Sequence, residues 1–430
     1  MLKADRVSNV SMPRNSQIVS RGFRLARLAT ALLFLLLPPL SIGQTQTRSV
    51  VCRGGDGKFD AQIYTGVRVH VGAARSEGGG LATLAARACA AKLEWEKQDL
   101  PVVTGASQLD LDVFGVDLGD GVPVAALQIK KSDTDCCVDY GIYSLNKPPR
   151  LLRSITGGEF FSASDVDLDG RVEIWTNDAA AVNGFDGLTL GELDSVPTVV
   201  FRFAHGRLVD VSAEFQSYFD DEIMQIRAGL VSHEIEDFKN TDGRLAETPT
   251  PASAERLHRM RATKIKILEI VWAYLYSGRD QDAWRSLTEM WPPADVDRIR
   301  AALLNARTHG IHGQADDTSA GPPRGKKKRV PIFDAVMLAP GRGLEVAPPR
   351  AILLELPASG VPQQNSQELE MFLDLVIDSS GKVRSVETTK NGKSVAPETI
   401  KAALTWKFIP AFKDGRPVAS RLRLDVSPKQ

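Results

Sequence analysis

Short apolar runs separated by turn residues fill the first half of the chain, and helical spacing replaces them after about residue 215. The runs Ala61–Val71, Val122–Ile129, Gly141–Leu145, Val172–Thr176 and Pro197–Phe203 are rich in β-branched and aromatic residues and lie between Gly, Asp and Asn clusters. That pattern predicts strands. One helix is predicted among them, over Gly80–Leu93, ending in Glu94 and Trp95. From 216 to 310 the period changes. Leu257, Met260, Ile265, Ile267, Leu268, Ile270, Val271, Tyr274 and Leu275 predict one long buried helix over Ser253–Ser277. A Gly278 turn, a second helix and a third over Ala294–Thr308 follow, and they read as a helical hairpin packing its aromatic residues as core. Residues 311–348 show no sustained period, contain the basic run Lys326–Arg329, and read as a flexible linker.

The pattern sharpens again near the end. Glu370–Ile377 reads as a strand, Asp378–Lys382 as a hairpin turn with Gly381 available for positive φ, and Val383–Thr389 as a half-buried second strand. Pro397 and Glu398 suit the first turn of a helix reaching Trp406. Asp414–Pro417 turns, and Ala419–Val426 alternates as a closing strand. The resulting reading is an α+β multidomain chain: a mainly β domain at 44–215, a helical region at 216–310, the linker at 311–348, and a ββαβ domain at 349–430.

Composition adds location. At 430 residues, with 43% hydrophobic and 25% charged residues, the chain is ordinary globular material for two or three domains. Lys+Arg and Asp+Glu both count 53, so net charge offers no reason to expect nucleic acid as a partner. Arg21, Arg24 and Arg27 precede the apolar run Leu28–Ile42, with Ser41 and Gly43 at signal-peptidase spacing before Gln44. Residues 1–43 therefore read as a signal peptide or a membrane anchor. The run is shorter than the roughly 20 residues of a span and is broken by Pro38 and Pro39, which favours cleavage. Either way the remainder is exported, periplasmic or anchored facing the periplasm. In an oxidising compartment Cys52, Cys89, Cys136 and Cys137 become disulfide candidates. A bond from Cys52 or Cys89 to the adjacent pair, or between Cys52 and Cys89, is favoured over a Cys136–Cys137 bridge, which would be the more redox-labile arrangement. No HExxH, GxSxG, P-loop or dinucleotide signature occurs, so the chain reads as a binding protein and not an enzyme.

One motif suggests a cation. In Asp165-Val-Asp167-Leu-Asp169-Gly170, carboxylates at positions 1, 3 and 5 can converge on a hard ion while the glycine permits a sharp turn. Position 12 is Thr176, so an EF-hand does not fit. The stretch resembles the FG-GAP/VCBS loop between β-strands, which implies calcium held by Asp165, Asp167, Asp169 and Glu173. A polar turn whose carboxylates bond backbone amides is the competing reading. A degenerate second copy is read in Asp110, Asp112, Asp117 and Asp120.

The end of the chain carries a second resemblance. Asp378-Ser-Ser-Gly-Lys-Val383, Trp406-Lys-Phe408-Ile-Pro410-Ala411 and Gly415-Arg-Pro417-Val418 occur in the order and at the spacing of a TonB C-terminal domain. The likeness covers under a fifth of the chain. It implies that the last strand, Ser420, Arg421, Leu422, Arg423, Leu424 and Asp425, lies at a sheet edge. There it captures an extended segment of an outer-membrane receptor or other periplasmic protein, or a second copy of the domain, by strand addition. An alternative expectation is a ligand-sensing scaffold, with a calcium-stabilised β head and a docking tail that transduces no energy. A 38-residue linker could reach roughly 120 Å if fully extended.

Overall fold

The computed structural model describes residues 50–74, 88–245, 253–317, 330–334, 346–355, 372–388 and 397–425. All belong to one compact unit, Val50–Gln430. The proposed leader, the Lys326–Arg329 run and the stretch Gly80–Arg87 lie outside the described residues. Among the described residues no helix is long and apolar enough to cross a membrane.

The head is a series of antiparallel meanders. After β1 (Cys52–Arg53), strands β2 (Phe59–Gln62), β3 (Arg68–Ala73), β4 (Cys89–Trp95) and β5 (Gln98–Ala106) form a four-stranded sheet in sequence order. Strands β6 (Gln108–Asp117), β7 (Pro123–Lys130), β8 (Val138–Ser144) and β9 (Arg150–Gly158) make a second, with β1 added beside β6. A third comprises β10 (Phe161–Ser164), β11 (Glu173–Asn177), β12 (Thr198–Ala204) and β13 (Arg207–Asp210), with α1 (Ala179–Val182) after β11. Two expectations are corrected here. Ala61–Val71 is a hairpin and not one strand, because Ile63–Val67 turns between β2 and β3. The expected helix over Gly80–Leu93 is a strand where it is described: β4 is hydrogen-bonded on both sides, by β3 and β5, so tertiary pairing overrides the helix preference of its alanines.

The helical region follows the expected spacing. It contains α2 (Gln216–Ala228), α3 (Ser232–Lys239), α4 (Ala254–Tyr276), α5 (Asp280–Met290) and α6 (Val296–His309). Ile267, Leu268, Ile270, Val271 and Leu275 of α4 are fully buried. Asp178, fully buried, ties this layer to the head by accepting from the Tyr276 hydroxyl at 2.7 Å, Ala181 N at 3.2 Å and Ile311 N at 2.9 Å. The start of the expected linker is folded: His312 Nδ1 lies 2.7 Å from Asp210, and Asp317 pairs alongside Val209 of β13.

The C-terminal part contains β14 (Phe333–Asp334), β15 (Val346–Ala347), β16 (Arg350–Leu353), β17 (Phe372–Ile377), β18 (Val383–Thr388), α7 (Pro397–Ala403), β19 (Lys407–Ile409), β20 (Ala411–Lys413), β21 (Arg416–Val418) and β22 (Ser420–Asp425). The main sheet has the order β14-β22-β17-β18. Leu373, Leu375, Ile377, Ala403, Trp406 and Phe408 form its core. Strands β17, β18 and β22 lie where the sequence reading puts them, whereas α7 ends at Ala403 and not at Trp406, and β19 to β21 are additional short strands.

Strand β19 is a shared wall. Because side chains alternate along a strand, Phe408 enters the C-terminal core while its neighbour Ile409 enters the core of the head. Ile352 and Phe412 pack on the same head core. Gly115 makes room for this: its φ is +82°, and a Cβ there would stand 3.0 Å from the Phe412 ring.

Candidate functional site

The most unusual chemistry lies where the head meets the C-terminal sheet. Strand β6 carries Asp110 and Asp112 on one face, 7% and 1% exposed. Charges at such depth require partners, and both find them far along the chain. Lys382, from the turn between β17 and β18, pairs with Asp112 and also donates to the Asp112 backbone carbonyl at 3.0 Å. Lys407 of β19 pairs with Asp110. Head groups complete the shell: the Tyr140 hydroxyl and Ala163 N donate to Asp112 at 2.7 and 2.8 Å, and Gln128 donates to Asp110 at 3.1 Å. Burial lowers the Lys382 pKa and the Asp112 carboxylate opposes that shift. Burial, reinforced by the same carboxylate, pushes Tyr140 well above its ordinary range.

These partners correct the expected second copy of the acidic loop. Asp110 and Asp112 stand within a strand, whereas Asp117 accepts from Gly119 N and Gly121 N, and Asp120 accepts from His205 N and Gly206 N. The four carboxylates do not form one loop.

The first acidic loop does close on itself. Asp165, fully buried, accepts from Asp169 N at 3.0 Å and Gly170 N at 2.9 Å. Asp167 accepts from Asp169 N at 3.2 Å, and Asp169 from Arg171 N at 2.9 Å. Leu168 and Gly170 both adopt positive φ, +57° and +86°. One oxygen from each of Asp165, Asp167 and Asp169 lies within 4.8 Å of the others. That spacing allows three oxygens to bind one hard cation at about 2.3–2.6 Å each. Glu173 stands outside this group. Its carboxylate is fully buried in β11 and receives the Arg202 guanidinium at 3.0 Å. The donor set thus fits a cation through three aspartates, and the fourth expected ligand serves an ion pair.

A second turn presses against this loop. In Asp378–Lys382, Asp378 accepts from Ser380 N, the Ser380 hydroxyl and Lys382 N at 2.6–3.0 Å. Its other oxygen accepts from Arg384 Nε at 2.6 Å and from Asp165 N at 3.1 Å. A side chain at Gly381 would collide with the Phe408 carbonyl, 1.8 Å from a built Cβ, so the turn must be glycine there. Burial, with Asp378 facing it, raises the Asp165 carboxyl to about 7, against the pull of its loop amides. Val330 N donates to Leu168 O at 2.9 Å, and the same short segment continues into β14.

The final strand, expected at a sheet edge, instead lies between two neighbours, because the segment before the C-terminal sheet adds β14 on its outer side. Strand β17 pairs with all of Ser420–Asp425, and β14 runs parallel on the other side, opposite Ser420 and Arg421. Arg421, Arg423 and Asp425 are exposed, while Leu422 and Leu424 turn toward the core. Among the described residues, strand pairing on the outer side ends at Arg421.

Two disulfides are present, Cys52–Cys89 and Cys136–Cys137. Of the favoured pairings, Cys52–Cys89 is present and the cross-link to the adjacent pair is not. The disfavoured Cys136–Cys137 bridge is found, because Cys52 and Cys89 meet within the packed sheets of the head while Cys136 and Cys137 sit together in the β7–β8 turn. Sequence reasoning missed the Asp110–Lys407 and Asp112–Lys382 pairs altogether. A carboxylate at alternate strand positions was the available signal, but its partners lie 297 and 270 residues away.

No family model matches the chain, and neither a curated protein nor a solved structure matches it.

Proposed function

We propose that this chain is an exported binding protein in which the C-terminal sheet, seated on the head, takes an extended segment of a partner protein along the outer side of β22. The observation that carries this reading is the sheet order: β22 lies between β17 and the two-residue strand β14, and among the described residues its outer side is paired only at Ser420 and Arg421. A strand side left in this way offers backbone groups to an added strand. The TonB-like motifs from Asp378 to Val418 support the same reading. They point to a periplasmic segment of an outer-membrane receptor as the partner class.

The seat on the head favours a scaffold over an energy transducer. Lys382 and Lys407 pair with buried head carboxylates, and Ile409 belongs to the head core. A tail held this way is a docking platform seated on the head. Calcium is part of the proposal: held by Asp165, Asp167 and Asp169, it would offset the repulsion between Asp165 and Asp378 and stiffen the loop beneath that platform.

The outward amides can be assigned. Ala419 O accepts from Phe333 N of β14, so by alternation the N–H groups of Arg421 and Arg423 face outward. Arg423→Pro removes one outward amide at a position where a strand edge tolerates proline. Arg423→Ala removes only the side chain. Titration calorimetry of the full chain with a synthetic receptor-box peptide should give binding that survives Arg423→Ala and is lost in Arg423→Pro. Equal binding by both variants would rule out strand addition at β22. Sedimentation of the chain alone reports whether a second copy takes that edge instead.

A further inference from the structure

The two disulfides occupy opposite environments. Cys52 and Cys89 are both fully buried, joining β1 to β4 across 37 residues within the core of the head. Cys136 and Cys137 lie at the end of the β7–β8 turn, where Cys136 is exposed and Cys137 half-buried. Both line an open cleft of about 360 Å³. Ile129, Gly157 and Ala180 form its apolar side, and Lys131, Asp135 and Asp139 also line it. Gly157 keeps the cleft open: its φ is +107°, and a Cβ there would meet the Ala180 side chain at 2.9 Å. The turn is held independently of the sulfur atoms, by Asp135 accepting from Ser132 N at 3.1 Å and by the 2.7 Å Lys131–Asp139 ion pair. Opening the bond therefore leaves the hairpin's own contacts in place.

A bridge between adjacent residues closes no loop of chain, so it adds none of the chain-entropy stabilisation that a long-range disulfide supplies. Its position in an accessible cleft meets the other condition for reactivity, since exchange requires a thiolate to reach a disulfide sulfur. We propose that Cys136–Cys137 is a thiol–disulfide exchange site that accepts two electrons from a dithiol. One thiolate of the dithiol attacks the exposed Cys136 sulfur; the Cys136–Cys137 bond breaks, and Cys137 leaves as a thiolate and takes up a proton. The dithiol's second thiol then loses its proton and, as a thiolate, attacks the dithiol's first sulfur in the mixed disulfide. Cys136 is released as a thiol, and the dithiol departs as a disulfide. One dithiol is oxidised for each chain reduced, and Cys52–Cys89 takes no part.

The test uses the full chain, purified without reductant and equilibrated with increasing dithiothreitol. Free thiols are alkylated with iodoacetamide and located by peptide mass spectrometry. Cys136 and Cys137 should become alkylated together at a dithiothreitol concentration at least about tenfold below the one that opens Cys52–Cys89, with one equivalent of dithiothreitol oxidised per chain. A Cys136→Ser/Cys137→Ser variant should keep the wild-type melting temperature and oxidise no dithiol in that range. The proposal is overturned if both pairs open at the same concentration. It is equally overturned if Cys136 and Cys137 are alkylated before any dithiol is added, or if the double variant consumes as much dithiol as the wild type.

Discussion

Two buried carboxylates of the head face the C-terminal sheet, and they meet opposite charges of partner. Asp112 meets the Lys382 ammonium, and it also collects the Tyr140 hydroxyl and Ala163 N. Asp165 meets Asp378, itself a carboxylate that is paired with Arg384. Among the described residues the Asp165 oxygens accept from backbone amides and one serine hydroxyl, with the Asp167 and Asp169 carboxylates close by. The first contact is a lock. The second is a point where protonation or a cation decides whether the surfaces repel. Both contacts end on the same turn, Asp378–Lys382, so one five-residue segment carries the attraction and the repulsion together. The expectation of a free tail on a long linker gives way, in the proposal, to a tail whose seating is chemically adjustable.

Breaking the lock should have the largest effect. Asp112→Ala strands a largely buried Lys382 and removes the acceptor for Tyr140. Loss of one partner from a buried pair costs about 3–5 kcal/mol, read as a shift in the urea midpoint of the full chain.

The facing carboxylates should respond to pH in the opposite sense from a salt bridge. Folded, Asp165 keeps its proton up to about pH 7; unfolded, it loses it near 3.8. Between those values the folded chain binds more protons, so stability falls as pH rises through that window. Glu269, which burial raises to about 8, acts in the same direction. Asp165→Asn should therefore flatten the fall in melting temperature between pH 5 and 8 without abolishing it. An unchanged slope would remove Asp165 from the account.

Calcium should sharpen the same contrast by a smaller amount. Binding needs ionised carboxylates, so millimolar calcium should raise the melting temperature more at pH 8 than at pH 5.5. At ten times the dissociation constant the gain is about 1.4 kcal/mol. Asp167→Ala should cancel it, and a calcium shift that is equal at both pH values would contradict the role of Asp165. The smallest effect belongs to the exposed face. Arg423 donates to Asp374 at 2.7 and 3.0 Å, yet both are solvated, so Asp374→Ala should leave the urea midpoint where it is.

Much of the C-terminal sheet was legible in the sequence because its signals are local. The 378–382 turn, Pro397 at the start of α7, and the alternation of Ser420–Asp425 each announce themselves within a few residues. The long helix α4 was legible for the same reason. The seam was not. Lys382 and Lys407 read as ordinary turn and strand residues, and Asp110 and Asp112 read as a loop, because a buried ion pair is defined by a partner that periodicity cannot see. The Glu173 ion pair was hidden in the same way, since the Arg202 that meets its carboxylate sits on a neighbouring strand. In β4 the error was of another kind: Ala88–Trp95 favours helix locally, and only its two sheet partners make it a strand.

Hydrogen exchange on the full chain tests the seated tail most directly. The amides of Ser380 and Lys382 should exchange slowly, at rates matching β6, and both sets should accelerate together in Lys382→Met. Fast exchange of the 380–382 turn beside a protected β6 in the wild-type chain would show that the tail moves free of the head, and the account would fail.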